Sequence, residues 1–376
     1  MKCLYGKGLF ATLTAGALLL VGGCSGKAPA PAVSTPTPAV KTELDIAYDE
    51  NSVLTVETEQ QSDMFHYRYI YDLSYLDDVL GYQSVSREQV LRAVEDSALI
   101  SDKFKALLET YVNAVAEHYP DADLRVFYEN LKTMAVHECT KDELVLKSLS
   151  FDSLGVYMKD ENAIYVLKDY EYQPNTWPYQ IIFHEFSHAL KGGRWELDGE
   201  EVKVLFDSTP GGTGTVPEEA LNSIFAVSLY DKDERDIAYQ LQSNYFLLLL
   251  SCLDNYTLTD YINRDYSYFL SCLDEYNQDQ NYAAYIMALI SAQYEDFHDD
   301  KQRIRQSEFY PIYDYVLGMY FRKNILPGMT YDEAKAAADA AISTITFDVS
   351  EEYRLDTAYM YDFFAQYCAG IGIAIS

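Results

Sequence analysis

The chain has 376 residues, of which 28 are Lys or Arg and 59 are Asp or Glu, for a formal net charge of −31. So acidic a surface repels phosphate backbones and anionic headgroups, which argues against nucleic acid as a partner. The chain has only six histidines, its six cysteines show no CxxC ribbon, and 35 tyrosines supply rings for core, rim or cleft.

Residues 1–24 read as a secretory signal: Lys2 and Lys7, an apolar run from Leu9 to Val21, then small residues before Cys24. The run is shorter than the about 20 residues a helix needs to cross a bilayer. Val21-Gly22-Gly23-Cys24 resembles the lipobox of bacterial lipoproteins, with valine in the usual leucine position. That resemblance implies lipidation of Cys24 and an extracytoplasmic, membrane-anchored location. Residues 25–42 are rich in Pro, Ala, Ser and Thr and read as a disordered stalk.

The remaining residues suggest an α+β, mostly helical body. An N-terminal helical region spans 43–145, a core region 146–235 and a C-terminal helical subdomain 236–376. The pattern over 86–119 predicts one long helix, and 123–138 a second. ELVLKSLS and GVYMKDENAIYVLKDY read as strands, with Asp160-Glu161-Asn162 at a hairpin tip. Pro178 suits the first turn of a helix running through IIFHEFSHAL, and Gly192-Gly193 suits a left-handed stop. Thr215 and Glu218 have capping-box spacing at the start of another helix, with Pro217 in its first turn. Helices are expected over 236–253 and 281–297, and Thr330 with Glu333 opens a further one. Cys252 and Cys272, in the echo SCLDNY and SCLDEY, read as apolar helix positions. Outside the cytoplasm these two, Cys139 and Cys368 have the option of pairing.

The chemistry concentrates in HEFSH. Residues four apart share a helix face, so His184 and His188 present two imidazoles to one point, a spacing suited to zinc. Glu185 lies about 100° around the helix, where a general base belongs. A catalytic zinc normally has a third protein ligand. Lys191 and Arg194 occupy the glycine and third-histidine positions of the metzincin pattern, which excludes that group. Carboxylates downstream remain: Glu219 and its neighbour Glu218, then Glu196, Asp198, Glu200 and Glu201.

Here the chain resembles the gluzincins, HExxH metallopeptidases whose third ligand is a glutamate on a second helix. The resemblance covers roughly residues 155–230. EEALNS departs from the thermolysin-type NExxSD continuation and is nearer an EEG-A pattern, which implies Glu219 as ligand. It also implies Asn222 or Ser223 as a hydrogen-bond partner of an imidazole. Glu219 lies farther from His188 than the family's usual spacing, and Glu218 stays open as its rival. The resemblance further implies a zincin-like fold with a small mixed sheet and an active-site helix. Ala163, Ile164, Tyr165 and Val166 would be an edge strand pairing with substrate backbone, or else an ordinary core strand. The expected function is a zinc-dependent metallopeptidase acting on a peptide or protein, with one Zn2+ per chain and an unidentified oxyanion donor. The competing reading is a tethered peptide- or solute-binding lipoprotein with a structural zinc or a degenerate peptidase fold.

Overall fold

The computed structural model describes two short strands, at 45–48 and 54–57, and most of residues 67–374, with the longer breaks at 206–214, 231–236 and 299–305. The signal, Cys24 and the 25–42 stalk lie outside the described residues. Leu44–Ser376 form one compact unit. Its main hydrophobic cluster runs from Val90 to Ile373, across both expected internal boundaries.

The N-terminal region is not purely helical. Strands β1 (Asp45–Tyr48), β2 (Leu54–Glu57) and β3 (Tyr67–Ile70) precede α1 (Leu76–Leu80). The helix expected over 86–119 is two, α2 (Arg87–Asp96) and α3 (Asp102–His118). Ser97 turns extended to end the first, and Ser101, also extended, opens the second. The helix expected over 123–138 stops early: α4 (Arg125–Leu131) gives way to β4 (Ala135–Cys139). Conversely, ELVLKS (143–148) is not a strand but most of α5 (Lys141–Ser148), initiated where Thr140 and Glu143 hydrogen-bond reciprocally, and residues 149–150 lie outside the described residues.

The hairpin is found where expected, as β5 (Gly155–Met158) and β6 (Ala163–Leu167), with Asn162 at φ 46° closing the tip. Its strand order corrects the edge-strand assignment. The sheet runs β4-β6-β5, so β6 is the central strand, parallel to β4 and antiparallel to β5. Ala163, Ile164 and Val166 are core residues. Among the described residues the two edges of this sheet are β4 and β5.

Then come α6 (Trp177–Lys191), β7 (Gly193–Leu197), β8 (Glu200–Val204) and α7 (Thr215–Ser228). β7 and β8 form a hairpin that joins β3 in a second sheet of order β1-β2-β3-β8-β7. The rest is helical, as expected: α8 (Gln240–Cys252), α9 (Leu258–Asn263), α10 (Tyr266–Asn277), α11 (Tyr282–His298), α12 (Tyr310–Asn324), α13 (Tyr331–Thr346) and α14 (Thr357–Gly370). The Thr330–Glu333 capping box opens α13. No helix among the described residues is long and apolar enough to cross a membrane. Cys139, Cys252, Cys272 and Cys368 are buried free thiols rather than disulfide partners.

Helix α6 runs through the core, burying Ile182, Phe183, Phe186, Ala189 and Leu190. Its Pro178 sits in the first turn as expected. Its end does not use a left-handed glycine: Gly192 is extended at φ −119°. The buried Asn130 amide of α4 closes it instead, donating to the carbonyls of Ala189 (2.7 Å) and Gly192 (2.8 Å). The indole of Trp195 donates to Asn130 Oδ1 at 2.9 Å, so both sides of the amide are used. Leaving a buried hydrogen-bonding group unpaired costs about 1–3 kcal/mol. Asn130→Ala is therefore expected to lower unfolding stability by about 3 kcal/mol in urea titration, and a loss below about 1 kcal/mol would contradict this role.

Candidate metal centre

Two helices build the site. α6 carries His184, Glu185 and His188, and α7 crosses it with Glu219 in its first turns. His184 Nε2 lies 2.8 Å from Glu219 Oε2 and 3.1 Å from His188 Nε2, and His188 Nε2 lies 3.2 Å from the same carboxylate oxygen. Tetrahedral ligands at about 2.0–2.1 Å from a zinc ion stand about 3.3 Å apart, so the three donor atoms nearly have the required spacing already.

The surroundings orient the donors. Ser223 Oγ donates to the carbonyl of Glu219 at 2.8 Å and so presents a lone pair to His184 Nδ1 at 3.1 Å. That arrangement suits a proton on Nδ1 and leaves Nε2 free to ligate. Asn222 Nδ2 donates to the His184 carbonyl (2.9 Å), and the Tyr261 hydroxyl donates to Asn222 Oδ1 (3.1 Å). Ser223 thus meets the imidazole directly, and Asn222 fixes the helix that carries it.

Of the two adjacent glutamates, Glu219 turns to the histidines and Glu218 turns away. The buried Glu218 carboxylate pairs with the equally buried Lys191 ammonium at the end of α6. The Thr215 side chain, its expected capping partner, lies outside the described residues. Glu196 is exposed on β7, and Glu201 pairs with Arg194. The side chains of Asp198 and Glu200 lie outside the description.

Charge is strongly coupled across this apolar surround. Burial works against ionising Glu219, yet the two imidazoles hold its carboxyl well below the usual range. Burial also opposes protonation of His184, but contact with Glu219 outweighs it and raises its pKa; for His188 burial wins and lowers it. The Glu185 carboxyl is pushed up to about 7, first by burial and also by the Glu219 charge, against His184 and a hydrogen bond from the Tyr157 amide. Lys159, just past β5, is lowered to about 8 by burial; Glu218 opposes that and Lys191 adds to it.

Strand β5 lies against α6 at Glu185. A Cβ on Gly155 would stand 2.8 Å from Ile181 Cγ2 and 3.0 Å from Glu185 Oε1, so only glycine admits this approach. The approach is what lets the edge strand hydrogen-bond Glu185 through the Tyr157 amide.

Tyr239, unremarked in the sequence, also belongs to the site. It sits at the mouth of α8 in a left-handed conformation (φ 52°), with its ring stacked on His184 at 6.4 Å between centroids and packed on Tyr294 at 5.2 Å. Burial, with the charges of Glu219 and Glu185, raises its pKa well above 10, so the phenol keeps its proton. A strained non-glycine residue beside reactive groups is a feature of functional sites. Among so many tyrosines no sequence pattern singled it out.

The chain matches no known protein-family model, no curated protein and no solved structure. Its functional reading therefore rests on the site itself. His184, His188 and Glu219 form a group with donor atoms all within 4.8 Å of one another, able to hold a metal ion.

Proposed function

We propose that this chain is a zinc-dependent metallopeptidase with a zincin-like fold, held outside the cell by a lipid on Cys24. The observation that carries the reading is the convergence of His184 Nε2, His188 Nε2 and Glu219 Oε2, with Glu185 one residue along the same helix. Two neutral imidazoles and one carboxylate are the protein donor set of a class of hydrolytic zinc sites. Zinc, when bound there, supplies a Lewis acid and a water acidic enough to lose its proton near neutral pH.

The protein groups do the rest. Glu185, buried and held by the Tyr157 amide, takes the proton of the attacking water and passes it to the leaving amine. Tyr239, kept protonated, donates a hydrogen bond to the carbonyl oxygen as it gains charge. The free edge of β5, rather than β6, pairs with the substrate backbone beside Glu185.

A site of this kind specifies its own test. Purified protein is expected to carry about one zinc per chain by elemental analysis, removed by chelation and absent from Glu219→Gln. Protein that binds no zinc when folded and supplied with it would end this reading. The tethered binding protein with a structural zinc passes the same test and is separated from a peptidase by cleavage, but such a protein has no use for Glu185.

A further inference from the structure

Glu218 and Glu219 are adjacent on α7, and neighbouring residues on a helix point about 100° apart. Something must decide which carboxylate meets the histidines. Lys191 is 3% exposed and Glu218 1%, and they pair across the α6–α7 contact, three residues beyond His188 and one before Glu219. The Lys191 ammonium also lies 4.0 Å from the centre of the Tyr261 ring. Tyr261 in turn hydrogen-bonds Asn222, which holds the carbonyl of His184. Glu218 Oε2 makes no hydrogen bond among the described residues, so the carboxylate is held from one side, by Lys191.

We propose that the Lys191–Glu218 pair is a register lock: it turns Glu218 toward the end of α6 and thereby fixes Glu219 on the two histidines. Lys191 and Glu218 are positioning residues, acting on the metal only through Glu219 and His184. The inference rests on reading His184, His188 and Glu219 as the metal site. Removing Lys191 takes from a buried carboxylate the cation paired with it, leaving it only the electrostatic influence of Lys159, a costly arrangement. Glu218 then relieves that cost by swinging away, and the first turn of α7 rotates with it.

The test is the zinc affinity of metal-free full-length protein, measured by competition with a chromophoric chelator for the parent, Lys191→Met, Glu218→Gln and Glu219→Gln. Loss of an outer partner of a ligand typically costs about 10–100-fold in affinity. Lys191→Met is expected to fall in that range among molecules that unfold cooperatively, and Glu218→Gln, which keeps the shape and weakens the pair, by about tenfold. Glu219→Gln should lose far more. If Lys191→Met does not fold, the near-isosteric Glu218→Gln carries the test.

A pair that only stabilises the fold would lower the thermal midpoint of the metal-free protein and leave the zinc affinity of folded molecules at the parental value. That result overturns the lock. It is distinct from a parent that binds no zinc, which removes the metal site and the lock together.

Discussion

Glu185→Gln is expected to lower peptide hydrolysis by about 10³–10⁴-fold while leaving zinc content at one per chain, since general acid–base catalysis supplies up to about 10⁴. The amide keeps the size of the carboxylate and can still accept a hydrogen bond from the Tyr157 amide, so the close β5–α6 approach at Gly155 survives. What disappears is the group able to take a proton. The loss should appear in kcat more than in KM, because the base acts only as the reaction proceeds.

The same carboxyl sets the acid side of the pH profile. Burial raises it to about 7, and the base form lies above that value. Any cation held by the neighbouring ligands lowers it. The acid limb of kcat/KM should therefore rise to its plateau at or below pH 7 and follow a single ionisation. Equal activity of Glu185→Gln and parent would remove Glu185 from the chemistry.

The second large effect is on stability. In the parent, zinc at about 100 times its dissociation constant adds about 2.7 kcal/mol to unfolding, and about 4.1 kcal/mol at 1,000 times. His184→Ala is expected to abolish nearly all of that increment in paired thermal or urea unfolding with and without zinc. His184 stands in contact with both other donors, at 2.8 Å and 3.1 Å, so its loss leaves a two-ligand remnant. Glu219 also loses one of the two imidazoles that hold its carboxyl low. A parent-sized zinc increment in His184→Ala would place the zinc elsewhere.

What was legible in the sequence was local. The i, i+4 face of His184 and His188, the Pro178 start and the Thr330 cap depend on residues a turn or less apart, and all are found. Glu219 as the residue that meets the histidines was implied only by the resemblance of EEALNS to an EEG-A pattern, with Glu218 open as its rival. The choice between Glu218 and Glu219 was not legible, since it depends on Lys191 of another helix. Nor was the end of α6: a Gly-Gly pair suggests a left-handed stop, but the distant Asn130 side chain supplies the closure.

The edge strand failed for a related reason. AIYVLK has the composition of any strand, and its place in the sheet depends on β4, hidden in a stretch whose spacing reads as helix. Once Ala135–Cys139 pairs with it, β6 becomes central and the edges are β4 and β5. The strands at 45–48 and 54–57 and Tyr67–Ile70 were likewise masked by the helical texture of the region that follows them.

The central claim is that the site cuts peptides. The most direct measurement incubates zinc-loaded protein with a proteome-derived peptide library and sequences the termini that appear. New termini are expected with the parent, none after chelation, and their return on adding zinc. A folded parent holding one zinc per chain that generates no new termini would contradict the peptidase and leave a zinc-bearing binding protein in its place.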